Sequence, residues 1–187
     1  MAKIQKVSPV LIEENFEEEE TVYKMLAGYA DEDGVIHKDF TLREINGKDE
    51  EALHSSNKKA NGAAIVSLLL ERCVTSIGNF TRKDVGTEKW REIIKSLYVG
   101  DQDYMLLKLR EVSVGSEFEI KHECPECGAE LITYVSVDEL EIEPFKGEYF
   151  TKFTLPKGLR DKNGELHREG TTRPATGLDR EIHHFYL

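Results

Sequence analysis

One stretch of this chain occurs twice, at a constant offset of 130 residues and without a gap. Asp31-Glu32-Asp33-Gly34-Val35-Ile36-His37-Lys38-Asp39-Phe40-Thr41-Leu42-Arg43 lies over Asp161-Lys162-Asn163-Gly164-Glu165-Leu166-His167-Arg168-Glu169-Gly170-Thr171-Thr172-Arg173, with Asp, Gly, His, Thr and Arg recurring in place. Upstream, Thr21 matches Thr151 and Gly28 matches Gly158; downstream, Gly47 matches Gly177, Asp49 matches Asp179 and Glu51 matches Glu181. Any fold of this chain must therefore house two similar units, residues 21–51 and 151–181. In the first copy, β-prone runs at Val22 to Leu26 and Val35 to Leu42 flank Asp33-Gly34, a dipeptide that favours a tight hairpin because Gly accepts positive φ. Lys48-Asp49-Glu50-Glu51 then begins a helix, with acids in the first turn to complement its dipole. The second copy breaks off at Ile182-His183-His184-Phe185-Tyr186-Leu187. Two strands alone are marginal in water, so this C-terminal hairpin is expected to extend a sheet, that of its own first copy or that of a neighbouring subunit, by β-augmentation.

The repeated His37 and His167 read as hairpin stabilisers bonded across the turn, since no Ser, Cys or carboxylate constellation accompanies them in both copies. Arg43 and Arg173 read as ion-pair partners of the acids that follow. Between the copies, helices are expected at about Asn61 to Val74, Arg82 to Leu97 and Tyr104 to Val112, the second carrying a core stripe of Trp90, Ile93, Ile94 and Leu97. Gly100-Asp101 is expected to end one element and cap the next.

Chemistry concentrates at His122-Glu123-Cys124-Pro125-Glu126-Cys127-Gly128, between two β-prone runs, the second at about Leu131 to Val137. In C-P-x-C-G the Pro and Gly bend the backbone so that two thiolates converge, an arrangement that suits tetrahedral zinc. A closed site needs four ligands, and the chain has no second C-x-x-C. Period-2 alternation puts His122 on the face of Phe118 and Ile120, two residues ahead of Cys124, which makes it the third candidate. Cys73 is the fourth, on a helical face shared with Ile65 and Leu69 and expected to point at the core. Four such ligands would make a structural zinc site stapling a helix to the hairpin, and zinc would then contribute to folding. The competing readings are a redox dithiol, a strand histidine and a small core cysteine.

The chain has 187 residues, 25 basic and 36 acidic side chains and a formal charge of −11, which opposes a nucleic-acid backbone role. No apolar run reaches the length of a membrane span and no signal core opens the sequence. P-loop, G-x-S-x-G, H-E-x-x-H and Rossmann fingerprints are lacking, so the chain is not expected to be an enzyme. The first twenty residues, ending in Glu17-Glu18-Glu19-Glu20, read as a solvated acidic arm; the alternative is an interaction arm using Val10, Leu11, Ile12 and Phe16.

Phe40-Thr41-Leu42-Arg43-Glu44-Ile45-Asn46-Gly47-Lys48-Asp49-Glu50-Glu51, Leu68-Leu69-Leu70-Glu71-Arg72-Cys73, Tyr98-Val99-Gly100-Asp101-Gln102-Asp103-Tyr104-Met105-Leu106-Leu107-Lys108-Leu109-Arg110, Gly115-Ser116-Glu117-Phe118-Glu119 and Cys124-Pro125-Glu126-Cys127-Gly128 together resemble, in order, the T-even-type baseplate hub assembly chaperone family of contractile-tailed phages, which has relatives in phage-like injection machines. The resemblance covers about residues 21–142. It implies a non-enzymatic role at the baseplate, in the tail or in the host cytoplasm during assembly, with other tail or baseplate proteins as partners and several copies in a symmetric particle. It also carries Cys124 and Cys127 over as metal ligands. The segment from Phe153 to Asp179 looks like the opening of a related tail-protein module, cut short.

The expected fold is α+β: a 1–20 arm, a 21–142 core domain of hairpin, small helical bundle and zinc-knuckle hairpin, and a 143–187 module with the partial repeat. Rival functions are an acidic zinc-ribbon module in regulation, a thiol oxidoreductase, and a tail-tube or other virion structural protein.

Overall fold

The computed structural model describes residues 21–56 and 61–183. The proposed N-terminal arm, and His184 at the other end, lie outside the described residues.

Strands β1 (Val22–Ala30) and β2 (Ile36–Leu42) form the first hairpin, antiparallel, with Tyr23 opposite Phe40 and Tyr29 opposite His37. Its register shifts between Lys24 and Tyr29, and Gly28 sits there at φ 100°, a value glycine accepts readily. Helices α1 (Gly47–Ser56) and α2 (Gly62–Cys73) follow, the latter N-capped by Asn61, whose side chain accepts from the Ala64 amide. The chain then makes two strands that periodicity did not disclose, β3 (Val74–Ile77) and β4 (Phe80–Thr81), and these complete a four-stranded sheet in the order β1-β2-β3-β4.

The expected single helix from Arg82 to Leu97 is broken. Gly86 at φ 81° separates α3 (Arg82–Val85) from α4 (Thr87–Ser96), because the positive φ ends one helix and its backbone opens the next. Helix α5 (Val99–Val114) starts earlier than expected, so that Asp101 stands in its first turn rather than at a boundary. The core lies between sheet and helices. Phe40, Leu70, Ile77, Trp90, Ile94 and Met105 are fully buried in one cluster, which includes all four residues of the expected α4 stripe. Each such side chain contributes about 1.5–3 kcal/mol of apolar transfer. The Trp90 indole N–H is not stranded there, since it donates to the Glu71 carbonyl at 3.1 Å.

A second hairpin, β5 (Glu117–Glu123) with β6 (Glu130–Ser136), stands apart as a two-stranded sheet carrying the C-P-x-C-G turn. A 3-10 turn at Val137–Glu139 follows. The third hairpin, β7 (Thr151–Arg160) with β8 (Leu166–Thr172), leads into the short helix α6 (Gly177–Ile182). Its pairings of Lys152 with Thr171, Phe153 with Gly170, Thr154 with Glu169, Leu159 with His167 and Arg160 with Leu166 are those of β1–β2, each moved by 130 residues. The register shift recurs, with Gly158 at φ 70°. The expected pairing with its own first copy is not formed: among the described residues β7–β8 joins no other strand of the chain, and the first hairpin's sheet is instead extended by β3.

Both stems of the third hairpin are nonetheless anchored. Ahead of β7, the Tyr149 hydroxyl donates to the Ala27 carbonyl at 3.1 Å and its ring stacks on Tyr98 at 5.5 Å. Beyond β8, Val99 N–H donates to Ala175 and Gly177 N–H to Leu97, while α6 packs on α2 and α4 with Lys95 paired to Glu181 at 2.6 Å.

Candidate functional site

Three local devices can be compared between the first and third hairpins and the helix starts that follow them. The first is a turn clamp. Asp31 accepts the amides of Asp33 and Val35 and meets His37 Nε2 at 2.8 Å; Asp161 accepts those of Asn163 and Glu165 and meets His167 Nε2 at 3.4 Å. The hydrogen bond across the turn expected of both histidines is therefore present. His37 is additionally packed edge-on against Phe80 at 5.0 Å, whereas His167 is half exposed.

The second device is an arginine fork on the first turn of the following helix. Arg43 holds Asp49 through two bonds of 2.7 and 3.0 Å, and Arg173 holds Asp179 through two of 2.6 and 3.1 Å. Both carboxylates also accept the amide of the N-cap residue, Asn46 or Thr176, so each closes its helix start. The arginine beside each, helped by the backbone amide bonds and working against burial, which alone would push the other way, holds its acid well below the usual carboxylate range. Asp49 is fully buried and is gripped a second time by Arg72 at 2.7 Å; Asp179 keeps 28% exposure.

The third device is present only once. Asp101, 1% exposed on α5, accepts the backbone amides of Leu26, Ala27 and Gly28 at 2.6, 3.0 and 2.9 Å. A carboxylate with three amide donors satisfies the bulge of β1, whose strand pairing is interrupted there. The corresponding positions of the third hairpin are Pro156, which has no N–H, and Lys157 and Gly158, whose amides meet no side-chain acceptor among the described residues. Sequence reasoning missed Asp101 and Asp49 as buried anchors. For Asp49 the signal was its recurrence with Arg43 as a fixed pair; Asp101 had no signal, because its partners lie more than 70 residues away.

The metal candidates separate. Cys124 and Cys127 share the β5–β6 turn, where Gly128 at φ 69° donates to the Cys124 carbonyl at 2.9 Å and the Cys124 amide donates to Ala129 at 2.8 Å. Amide hydrogen bonds from Glu126 and Cys127, then the Cys127 thiol itself, hold the Cys124 thiol below its ordinary range. That favours thiolate, the ligating form, so this pair fits a soft divalent metal. His122 lies exposed on β5 opposite Leu131, on a face whose Ile120 is 41% exposed rather than buried. Cys73 is elsewhere. It is fully buried at the end of α2, its thiol 3.9 Å from Asp49, and burial, then the Asp49 charge, pushes it up to about 11. Ile65 and Leu69, expected on the same core face, are only half-buried, and Leu70 takes the interior position. The structure does not bring His122, Cys73, Cys124 and Cys127 together. Among the described residues the one set of three ligand types with atoms mutually within 4.8 Å is Asp161, Glu165 and His167, on the exposed turn of the third hairpin.

A cleft of about 670 Å³ lies between the first hairpin and the anchored stems, walled by Tyr29, Ile36, Tyr98, Tyr149 and Phe150 with Arg173 at its side. Among the described residues no helix is long and apolar enough to cross a membrane.

Forked ion pairs, a one-sided amide clamp and hairpins with open edges make up an α+β body that presents β-edges. The chain belongs to the T4 bacteriophage base plate protein family, whose model matches residues 32–164. That match runs from the turn of the first hairpin to the turn of the third, and includes the cysteine hairpin. The family implies contacts with other baseplate proteins. Neither the search of curated proteins nor that of solved structures finds a match.

Proposed function

We propose that this chain is a non-enzymatic assembly or structural protein of a contractile phage tail, or of a phage-like injection system, that works at the baseplate or its hub through protein–protein contacts. The family match over most of the chain carries this reading. Two hairpins that share register, turn clamp and arginine fork support a duplicated unit, one copy built into the body and the other offered outward. A duplicated surface suits a component that bridges equivalent neighbours in several copies around a symmetric tail, with β-augmentation as the mode of contact. The chain would work in the host cytoplasm during assembly and at the tail tip thereafter.

The thiolate pair of Cys124 and Cys127 is the metal-holding part of the proposal, with His122 on the same hairpin as the further ligand and zinc as the metal. Its chemistry there is structural: two thiolates held at a tight turn keep the tip of β5–β6 closed.

Antibody labelling of purified tails, read by electron microscopy, tests the reading. Label at the baseplate end supports it. Label along the tube would make the chain a tail-tube component, and its absence from finished tails while it co-sediments with assembling hubs would make it a chaperone. Absence from both tails and hub intermediates would overturn the reading.

A further inference from the structure

The first hairpin shows what covers a unit of this kind, and the third has the same unit uncovered. On the outer side of β2, Asp39 accepts from Gly78 at 2.7 Å and Arg43 donates to Cys73 at 3.0 Å, so the peptide groups of Asp39, Thr41 and Arg43 face β3. Alternation places Glu169, Thr171 and Arg173 on the same side of β8, where no strand follows among the described residues. On the bulge of β1 sits Asp101; on that of β7 no carboxylate sits among the described residues.

The substitutions between the copies change the charge as well. Ala27, 4% exposed beneath α5, becomes the exposed Lys157; Ala30 becomes Arg160 and Glu32 becomes Lys162. Residues 151–173 carry six Lys and Arg against three Asp and Glu, whereas residues 21–43 carry three against four, in a chain of net charge −11. The uncovered copy is thus a basic hairpin on an acidic protein.

We propose that β7–β8 docks an acidic, strand-bearing segment of a neighbouring baseplate protein, which adds a strand to the outer edge of β8 and sets a carboxylate on the bulge amides of Lys157 and Gly158. This rests on the baseplate reading. A second copy of this chain does not fit the role, because its β3 and its Asp101 already serve its own first hairpin. Strand addition supplies backbone bonds, while the basic side chains select an acidic partner over a neutral one.

The test uses the full chain, labelled for amide NMR, and two synthetic extended peptides, one alternating Glu with Val and Ile, the other with Lys in place of Glu. The acidic peptide is expected to shift the amides of Thr171, Thr172, Lys157 and Gly158, and the lysine peptide to leave them unmoved. Lys157→Glu should weaken binding about tenfold. Thr171→Pro should abolish it, by removing an outward amide without touching the pairing to β7. Unaltered amide spectra outside β7–β8 verify that each variant folds. No binding by the acidic peptide, equal binding by both peptides, shifts confined to other surfaces, or dimerisation of the chain lost in Thr171→Pro would each overturn the proposal. Thr171→Pro recovered in purified tails at the wild-type level would overturn it while leaving the baseplate reading intact; absence of the wild-type chain from tails and hub intermediates would remove both.

Discussion

The carboxylate of Asp101 accepts the backbone N–H of Gly28 at 2.9 Å, across 73 residues of sequence, and fastens the first hairpin to α5 at the point where its own ladder is broken. Gly28 donates to Oδ2, and the other oxygen, Oδ1, accepts from Leu26 and Ala27. Hairpin and helix are therefore joined by a single side chain as much as by apolar contact.

Replacing that side chain should cost more than any exposed acid in the chain. Asp101→Ala leaves buried amides without an acceptor and is expected to lower stability by about 2–4 kcal/mol, with Asp101→Asn losing about 1–3 because its NH₂ group cannot accept. Urea unfolding followed by Trp90 fluorescence measures both. A loss below about 0.5 kcal/mol in Asp101→Ala would show that water replaces the clamp.

The two arginine forks should differ sharply in worth. Asp49→Ala strands Arg43 and Arg72 beside a buried position and is expected to cost about 3–5 kcal/mol, whereas Asp179→Ala, at a partly open site, should cost about 1 kcal/mol or less. Equal losses in urea melts would contradict the difference in burial.

Acid should act through the same carboxylate. Asp49 has a folded pKa depressed below its unfolded value, first by Arg43. Its contribution is therefore complete above the unfolded value of about 4 and is lost as pH falls through the folded one. Stability of the parent should decline on acidification below about pH 4, and Asp49→Asn, weaker at neutral pH, should decline less steeply over that range. Parallel stability-versus-pH curves for the two proteins would remove Asp49 from the explanation.

Aromatic truncation distinguishes the built-in hairpin from the outward one. Phe40→Ala opens a cavity at a fully buried site and should cost about 3–5 kcal/mol. Phe153, which lies over Gly170 in the second unit at 39% exposure, should cost about 1 kcal/mol on truncation.

Metal content gives the clearest separation among the cysteines. Cys124→Ser and Cys127→Ser should abolish zinc binding as read by mass spectrometry, and His122→Ala should weaken it. Cys73→Ser should keep the metal yet lose about 1–3 kcal/mol of stability from a polar group placed in the core. Zinc lost from Cys73→Ser as well would restore a site stapling α2 to the cysteine hairpin.

Features written in neighbouring residues were legible before any coordinates. Asp33-Gly34 marked the first turn, His37 its clamp and Arg43 an ion pair with an acid that follows, and Gly34, His37 and Arg43 recur at the same offset as Gly164, His167 and Arg173. What escaped was set by distance or brevity. Val74-Thr75-Ser76-Ile77 follows the apolar helix directly, and its hairpin signal, Gly78-Asn79 between short β-prone runs, is overshadowed by that helix; Gly86 ends one helix just ahead of a stripe whose period carries back across it. Cys73 illustrates the limit best. Cys73 itself points inward as its spacing suggests, while Ile65 and Leu69 of the same expected face stay half-buried, and the interior it reaches holds Asp49 and Leu70, with both other cysteines out on the β5–β6 turn.

The third hairpin is fixed at two feet: Tyr149, ahead of β7, bonds to Ala27 on the sheet, and Gly177, beyond β8, bonds to Leu97 between the helices. A load taken at its edge divides along two paths, one entering the sheet and one entering the helical layer. Neither path runs through the cysteine hairpin. Tension from a neighbour would be resisted by shear across both layers of the body together.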